Sequence, residues 1–453
     1  MFYDTIVAPC TPYGRSGVGI LKISGIHSKR VAYKVLGKIP IPRYAYYSKF
    51  IDNLGAVIDS GIALWFPKPN SCTGEDVLEL HCHGNPTILD LLIKTILSIH
   101  GIRLANPGEF SERSFLNNKI DLIQAESIMD LIHANSEAAV KSSLRSLQGF
   151  FSKEINSLIL QVNKIRVLVE ASINFPEDDT RILDHKITQD INNIFLKLID
   201  INKISNSGFL LQEGVKVSLV GKPNSGKSSI FNALLLDNAA IVTDIEGTTR
   251  DILNESFQID GITFHISDTA GLRSTDNIIE ILGIKKTIEQ IKLSDHILLV
   301  IDDTSEKFKK KKYISDFIKK FILNQRITIL FNKSDLSKKK SYIKKSNFGY
   351  SCIYLSAKTG SGIEILKNHL KKQALGKNVI PGEIFLARRR HIDILSRVQK
   401  KIKNIKKIWM IERNVELLAE DLKSIQNILG EITGKVTSNQ ILNSIFSTFC
   451  IGK

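Results

Sequence analysis

The stretch that most constrains the fold is residues 215–232, VKVSLVGKPNSGKSSIFN. Four of the six residues at 215–220 are apolar and three are valine, which predicts a buried strand. The next eight residues, GKPNSGKS at 221–228, match G-x-x-x-x-G-K-[ST] and lead into a helix-like run. In that setting the loop N–H groups surround a phosphate, Lys227 reaches the β- and γ-phosphates, and Ser228 is a ligand of Mg²⁺. The stretch therefore predicts a nucleoside triphosphate site.

Three further motifs identify the nucleotide, and each follows an apolar run that predicts a strand. They are DTAG at 268–271, NKSD at 332–335 and SAK at 356–358. Asp268 is expected to reach Mg²⁺ through water, and the Gly271 N–H to meet the γ-phosphate. The Asp335 carboxylate accepts two hydrogen bonds from the guanine edge, whereas with ATP a buried Asp335 would be left unpaired at a cost of about 1–3 kcal/mol. Four motifs at the carboxyl ends of strands predict a doubly wound sheet that binds GTP.

The segments between these motifs predict how GTP is hydrolysed. GTTRD at 247–251 contains Thr249, the expected second Mg²⁺ ligand that senses the γ-phosphate. Leu272 stands where Ras-like switches carry a glutamine, so an arginine finger, a bound cation or a more distant carboxylate must help the attacking water. The predicted GTP-contacting residues are Asn224, Ser225, Gly226, Lys227, Ser228, Ser229, Thr243, Asp244, Ile245, Glu246, Gly247, Thr248, Thr249, Asp268, Thr269, Ala270, Gly271, Asn332, Lys333, Asp335, Ser356, Ala357 and Lys358.

Composition bounds the rest of the chain. A length of 453 residues predicts about three domains. The net charge of +16 invites a nucleic-acid partner, but lysine runs at 309–312 and 338–340 lie in polar insertions of the GTPase, so a general lysine bias explains the charge equally well. Five cysteines without paired spacing, no signal-peptide pattern and no apolar run near ~18 residues predict a cytoplasmic protein without a membrane span.

The chain before the GTPase predicts two kinds of structure. Residues 1–118 predict an α+β domain, with strands at 4–7, 19–23, 61–66 and 76–82 and a helix at 87–99. A turn at 106–110 is expected to precede a helix whose N-cap is Ser111. Residues 119–211 and 379–453 predict helices on either side of a GTPase domain at 212–378, which indicates one all-α domain interrupted by an inserted α/β P-loop domain.

The sequence His81-Cys82-His83 raises the question of a metal site. On a strand the two imidazoles share one face while the thiol points to the other, and no further ligand lies nearby in sequence. A structural or polar-pocket role is therefore favoured over metal binding.

Several segments together resemble one family over the whole chain. They are DTIVA at 4–8, SCTGEDVLEL at 71–80, NPGEFSER at 106–113, NKIDL at 118–122, GTTRD at 247–251, FLARRRH at 385–391 and FCIGK at 449–453. On these segments the chain resembles the MnmE (TrmE) family of tRNA-modification GTPases. The N-terminal segments and the terminal Cys-x-Gly-Lys carry the resemblance, because a P-loop alone occurs in many other proteins.

The resemblance implies a specific activity. The family forms homodimers through an N-terminal domain that binds 5-formyl- or 5,10-methylene-tetrahydrofolate, and its central helical domain carries the GTPase. With a flavoprotein of the MnmG (GidA) type, which holds FAD in a heterotetramer, it places an aminomethyl or carboxymethylaminomethyl group on C5 of the wobble uridine of certain tRNAs. Potassium and dimerisation of the GTPase modules activate GTP hydrolysis.

The resemblance also assigns residues. The folate positions correspond to Lys22, Glu79, Lys119 and Lys453, and the potassium site to Asn224, Thr243, Ile245 and Thr248. Lys22 replaces a family arginine, which keeps the charge but loses the guanidinium fork.

Three more positions are compared with the family in the same way. Glu280 matches the carboxylate that helps to position the attacking water. Cys450 matches a cysteine required for tRNA modification but not for hydrolysis; a small apolar core residue is the alternative. Asn85 replaces a family glycine and is expected to tolerate a positive φ.

A different function class remains open at this point. A ribosome-assembly or signalling GTPase would have the same GTPase motifs and no modification chemistry. The N-terminal set of Glu79 and Lys119 and the terminal Cys450 argue against that class, because a switch needs neither folate contacts nor a thiol.

Overall fold

The structure is a computed structural model, and it describes residues 4–174, 180–236, 254–268, 291–305, 326–346, 349–375, 384–436 and 438–452. These residues fall into two compact units. The first consists of residues 1–132, 146–195 and 397–453, and the second of residues 133–145 and 196–396. No helix in the described ranges is both long enough and apolar enough to cross a membrane.

The N-terminal part is an α+β structure around one six-stranded sheet. Its strands are β1 Thr5–Pro9, β2 Ser16–Gly25, β3 Tyr46–Ile51, β4 Val57–Phe66, β5 Val77–Gly84 and β6 Ile102–Leu104; its helices are α1 Ser28–Leu36, α2 Pro86–Leu97 and α3 Glu109–Leu116. The strand order is β3-β4-β5-β2-β1-β6, and only the β1–β6 pair is parallel. The four strands and the helix predicted from the sequence are confirmed, whereas β3, β6 and α1 were not predicted.

One face of this sheet forms the core of the N-terminal part. Leu21 and Ile23 of β2 and Leu78 and Leu80 of β5 are fully buried, because alternate residues of each strand point to the same side. Helices α1 and α2 cover them with apolar residues such as Val31 and Leu92. Burial on this face leaves the opposite side chains, including Lys22 and Glu79, available for other contacts.

Two local expectations in this part are wrong. Helix α3 begins at Glu109 after Gly108, whose φ of 70° is left-handed, so Ser111 lies inside the helix and is not its N-cap. Asn85 has an extended backbone with φ of −112°, not a positive φ, and its side chain caps α2 by accepting a hydrogen bond from Thr87 N. Asparagine suits this position because it is a favourable N-cap residue.

The helical segment before the GTPase contains α4 Leu122–Ile132, α5 Glu137–Leu147, α6 Phe150–Asn174 and α7 Thr180–Glu213. The helices predicted here are confirmed, and α6 carries an aliphatic stripe in which Leu158, Val162, Ile165 and Val169 are all buried. Their spacing of three and four residues places them on one face of the helix.

The inserted part is an α/β structure with a seven-stranded sheet. Its elements are β7 Val215–Gly221, α8 Lys227–Leu236, β8 Asn254–Ile259, β9 Ile262–Asp268, β10 His296–Asp302, β11 Arg326–Asn332, β12 Tyr342–Lys345, β13 Ser351–Tyr354 and α9 Ile363–Leu375. The strand order is β12-β13-β11-β10-β7-β9-β8, in which the five central strands are parallel and the two edge strands are antiparallel. The predicted doubly wound sheet is confirmed, and its nearly continuous apolar runs reflect burial on both faces.

The chain leaves the inserted part close to where it enters. Gly208, near the end of α7, packs on the backbone of Phe385, and a Cβ atom at Gly208 would lie 2.1 Å from the Phe385 carbonyl oxygen. This close approach brings the two flanking segments together, as an insertion requires.

A polar chain runs through the buried side of the inserted sheet. The Thr328 hydroxyl on β11 lies 2.9 Å from Nε2 of His296 on β10 and 2.8 Å from Nε2 of His369 on α9. All three side chains are buried, and burial lowers the pKa of His296 to about 3. The hydroxyl joins the two neutral rings because it can donate one hydrogen bond and accept another.

The chain ends in α10 Arg389–Glu412, α11 Val415–Thr433 and α12 Asn439–Phe446. Leu418, Leu422 and Ile425 of α11 pack in a helical core with α6, and Arg166 of α6 donates a hydrogen bond to Gln426. The indole N–H of Trp409 on α10 donates a hydrogen bond to the Thr188 hydroxyl of α7 at 3.0 Å.

Candidate functional site

The P-loop connects β7 to α8 in a conformation that depends on its glycines. Asn224 and Gly226 have left-handed φ values of 63° and 91°. A Cβ atom at Gly221 would lie 2.4 Å from the Val300 carbonyl oxygen, so only glycine fits beside β10. Ser225 is buried, and its hydroxyl donates to the Lys222 carbonyl across the turn. The loop is therefore held by its own backbone and by the neighbouring strand.

Lys227 lies inside this loop. Its ammonium group is within 3.1 Å of the Gly221 carbonyl oxygen and 3.2 Å of the Lys222 carbonyl oxygen. Ser228 and Ser229 follow in the first turn of α8 and are exposed. A helix N-terminus with a lysine and an exposed hydroxyl suits a phosphate and its Mg²⁺ ion.

Asn332, the first residue of NKSD, links the P-loop to the base-recognition loop. Its side chain is buried; Nδ2 donates to the Ser225 carbonyl at 3.0 Å, and Oδ1 accepts from Ala357 N at 3.0 Å. The same amide packs so closely on Gly226 that a Cβ there would lie 2.1 Å from Nδ2. Three segments far apart in sequence therefore meet at one side chain.

The residues around Asn332 form the expected base side of the site. Asp335 is exposed, and a hydrogen bond from Ser356, followed by the charge of Lys358, lowers the pKa of its carboxyl group. The carboxylate therefore stays ionised and available as an acceptor. Lys333 has a left-handed backbone and forms an ion pair with Asp302 at 2.7 Å, a contact that sequence reasoning missed.

Part of the predicted GTP site lies outside the described residues. This holds for residues 243–249 and 269–271, for Leu272 and Glu280, and for the side chain of Asp268. The backbone of Asp268 ends β9, beside β7 and its P-loop.

A second cluster of polar side chains lies on the open face of the N-terminal sheet. Lys22 and Glu79 are paired across β2 and β5, with Nζ 3.7 Å from Oε1. On the other side of Glu79, His81 Nε2 lies 3.5 Å from Oε2. Burial favours the neutral amine, yet Cys10, Cys72 and Glu79 together raise the pKa of Lys22. The strand register thus brings two of the expected folate residues together and adds His81, for which the sequence favoured a structural or polar-pocket role over metal binding.

The rest of the His81-Cys82-His83 motif has ordinary partners. Cys82 is buried with its thiol against the Gly19 carbonyl, and His83 Nδ1 lies 2.8 Å from Asp59. Within the described ranges, no group of three or more His, Cys, Asp or Glu residues could hold a metal ion.

Lys119 contacts the loop between β4 and β5. Its ammonium group donates to the Pro69 carbonyl at 2.9 Å, and its side chain packs on Gly74. The segment that carries it is anchored by α3, where Arg113 is fully buried and forms ion pairs with three carboxylates, those of Asp4, Glu75 and Glu109. A buried arginine with three carboxylates holds this segment in one geometry.

The C-terminal segment packs on the N-terminal part of the same unit. Gly108 N donates to the Cys450 carbonyl at 3.4 Å, and Phe449 is buried against α4. Gly452 has a φ of 91° and packs on Pro9, and its carbonyl accepts a hydrogen bond from the Cys10 thiol at 3.2 Å.

This packing relates the C-terminal segment to the cluster on the sheet. The Cys10 thiol donates to the Gly452 carbonyl, and Cys10 N donates at 2.7 Å to the carbonyl of Ile20, two residues before Lys22 on β2. The segment that carries Cys450 therefore ends near the strand that carries Lys22. Cys450 is exposed, which argues against the apolar-core alternative for this thiol. Lys453 lies outside the described residues.

Comparisons with known proteins match the whole chain. The family model of the GTP-binding protein TrmE N-terminus matches residues 5–119, and that of the MnmE helical domain matches residues 122–450. The tRNA modification GTPase MnmE of Buchnera aphidicola subsp. Baizongia pistaciae (strain Bp) is 52% identical over 461 residues, covering 100% of both chains.

Solved structures resemble the chain more distantly. The FeoB G-domain from Methanococcus jannaschii is 24% identical and covers 36% of this chain and 98% of its own, with a TM-score of 0.27. A GTP-binding protein from Sulfolobus solfataricus in complex with GDP is 17% identical and covers 60% of this chain and 79% of its own, with a TM-score of 0.28. TM-scores this low carry no argument about function.

Proposed function

The chain belongs to the MnmE family of tRNA modification GTPases, and from that premise we propose that it hydrolyses GTP to drive a chemical modification of tRNA. The observation that carries the proposal is the pair of hydrogen bonds by which Asn332 joins Ser225 of the P-loop to Ala357 of the base loop. Such a junction lets one ligand contact the phosphate and the base elements together.

The roles in GTP binding follow from the geometry of these residues. Lys227 and the N–H groups at the start of α8 bind the β- and γ-phosphates, and the ionised Asp335 accepts from the guanine edge. The exposed Ser228 hydroxyl would hold Mg²⁺ together with Thr249, and the ion, when bound, neutralises phosphate charge. The Glu280 carboxylate is proposed to orient the attacking water, since Leu272 cannot.

Potassium is the proposed activator of hydrolysis. The Asn224 side chain is exposed at a left-handed position of the P-loop, which suits an oxygen ligand of a cation beside the phosphates. With Thr243, Ile245 and Thr248 it would hold K⁺, whose positive charge would do for the phosphates what an arginine finger does elsewhere. Hydrolysis should be faster in potassium than in sodium at equal ionic strength; equal rates would remove the cation from the mechanism.

The modification site is proposed to lie at the Lys22–Glu79 pair, within the N-terminal part that would also form a homodimer. His81 Nε2 is buried without a hydrogen-bond partner in the described part of the chain, so it and Glu79 offer polar contacts that a bound folate could satisfy. Lys119 and Lys453 are the other proposed folate contacts. A tetrahydrofolate there supplies a one-carbon unit, and a flavoprotein partner of the MnmG type supplies FAD.

The product is proposed to be an aminomethyl or carboxymethylaminomethyl group on C5 of the wobble uridine. Cys450 is proposed to act in this step because its segment packs through Gly452 on Cys10, whose N–H is bonded to Ile20 on the strand that carries Lys22. Among the described residues of the GTP site there is no group that could deliver carbon to a pyrimidine, and the switch is proposed to act on this second site through conformational coupling.

Two variants separate the switch from the chemistry. Cys450→Ser should leave GTP affinity and hydrolysis near parental and abolish the modification. Serine is similar to cysteine in size, but its hydroxyl is a far poorer nucleophile because it does not ionise as a thiol does. Glu280→Ala should keep GTP binding but lose hydrolysis and, with it, modification. Each variant is assayed for phosphate release and, after incubation with the flavoprotein and folate, for modified nucleosides in tRNA.

The outcomes distinguish the function classes. Full modification by Cys450→Ser would remove the role proposed for that thiol. A parental chain that hydrolyses GTP but leaves tRNA unmodified under all these conditions would favour the ribosome-assembly or signalling class.

A further inference from the structure

Helix α10 carries a large excess of positive charge. Its 24 residues include eight lysines or arginines and only two acidic residues. The acidic residues, Asp393 and Glu412, lie toward the two ends, so every charged residue between them is a lysine or an arginine. None of the GTP or folate residues proposed above lies on this helix, and the proposed mechanism leaves its charge unexplained.

The basic side chains of α10 that face neighbouring helices have partners. Lys401 forms an ion pair with Asp421 of α11 at 3.0 Å, and the Lys406 ammonium group lies 5.0 Å from the centre of the Phe195 ring. Arg397 contacts Glu431 of α11 at 3.1 Å. These contacts attach the flanks of α10 to the helical bundle.

A different set of lysines faces solvent. Lys400, Lys403 and Lys407 are exposed, and no ion pair or ring contact joins them to any residue in the described ranges of the chain. Their spacing of three and four residues places them on one face, over about 10 Å of helix at 1.5 Å per residue. We call these three residues the lysine ridge.

The ridge is held in place because the opposite face of α10 is buried in the helical bundle. Val398, Ile402, Ile405 and Trp409 are buried in the bundle core. The apolar face is therefore not available to enter a lipid surface, which an amphipathic membrane-binding helix requires. Like charges at this spacing repel one another by a few tenths of a kcal/mol, so the ridge does not stabilise the helix by itself.

We propose that the lysine ridge binds the phosphate backbone of the tRNA substrate. The inference rests on the proposed function, because tRNA is the polyanion on which such an enzyme acts. Lysine is a mobile point charge that suits phosphates without demanding one geometry, and each neutralised phosphate releases counterions. A row of unpartnered lysines on a rigid helix is the surface that such a backbone fits.

The experiment measures tRNA binding by the purified full chain as a function of salt. The ridge variant replaces Lys400, Lys403 and Lys407 with glutamine, and the control variant replaces Lys164, Lys186 and Lys423, which are exposed on α6, α7 and α11. Both variants remove the same charge from the same helical bundle. Affinity for fluorescently labelled tRNA is followed by anisotropy from about 50 to 200 mM KCl.

The ridge variant should bind tRNA about tenfold to a hundredfold more weakly at the middle of this range. Its plot of log K against log [salt] should also be less steep by about 2, because each of the three lost phosphate contacts contributes about 0.7–0.9 to the slope. The control should change by less than about twofold. GTP hydrolysis should be parental in both, since the ridge is separate from the GTP residues in sequence and element.

Three results would overturn the proposal. The first is an equal loss in both variants, which would indicate general electrostatic attraction. The second is unchanged tRNA binding in the ridge variant; a simultaneous loss of modification would then point to an acidic surface of the protein partner. The third is that the parental chain does not bind tRNA even at low salt. Whether the proposed function itself holds is decided by a separate assay, the nucleoside analysis of tRNA incubated with the flavoprotein.

Discussion

Replacing Asn332 by alanine should weaken GTP binding about 30-fold. The buried amide makes two hydrogen bonds, to the Ser225 carbonyl and from Ala357 N, both at 3.0 Å. Alanine would leave both backbone groups without this partner at a cost of about 1 kcal/mol each. The sum, about 2 kcal/mol, corresponds to about 30-fold in the dissociation constant because about 1.4 kcal/mol is tenfold.

The measurement is the affinity for a fluorescent GTP analogue by equilibrium titration. The matched control is Asn368→Ala on α9. This asparagine is exposed, and in the described part of the chain its side chain forms hydrogen bonds only with Glu364 of the same helix. The control should bind within about twofold of the parent, because an exposed contact contributes little. Parental affinity in Asn332→Ala, or an equal loss in the control, would refute the reasoning that this amide joins the two halves of the site.

Other predictions test single features of the GTPase part. Asp335→Asn should weaken GTP binding and admit xanthosine triphosphate, whose position 2 is an acceptor; unchanged preference in a competition assay would contradict the base-site assignment. Gly226→Ala should abolish GTP binding because its Cβ would lie 2.1 Å from Asn332 Nδ2, whereas Gly360→Ala, also at a positive φ but with open space, should lose only the left-handed strain of about 1–2 kcal/mol in stability. Burial lowers the pKa of His296 to about 3 in the folded protein, so as the pH falls this histidine is protonated in the unfolded state before it is protonated in the folded state. The free energy of unfolding, measured by urea titration, should therefore fall by about 2 kcal/mol from pH 6.5 to pH 5. His296→Gln should flatten that dependence, and an equal pH dependence in this variant would exclude the histidine as its source.

The fold of the inserted part could be predicted because its strands are buried on both faces. Runs such as those of β7, β10 and β11 are nearly continuous apolar sequences, and the motifs that follow them mark their carboxyl ends. By contrast, β3 was missed because it lies at the sheet edge and its first four residues alternate half-buried and exposed positions before the buried Phe50, so it lacks an apolar run. Helix α1 was missed because it is only nine residues long and has no side-chain N-cap.

The candidate site could be predicted residue by residue but not as a set of contacts. Motif spacing identified Asn332 and Asp335, yet the bond from Asn332 to Ser225 joins residues 107 positions apart, which no local pattern encodes. The contact between Cys10 and Gly452 spans 442 positions and depends on how the C-terminal segment folds back. For His81 the sequence favoured a structural or polar-pocket role over metal binding, but only the strand register shows that it flanks Glu79.

The central claim is that GTP turnover by this chain drives a chemical step on tRNA. The most direct test is nucleoside analysis of tRNA incubated with the chain, the flavoprotein partner and the folate in potassium, with either GTP or a non-hydrolysable GTP analogue. The account predicts modified wobble uridine with GTP and none with the analogue, because binding alone cannot cycle the switch. Equal modification with the analogue, or no modification with GTP, would contradict it.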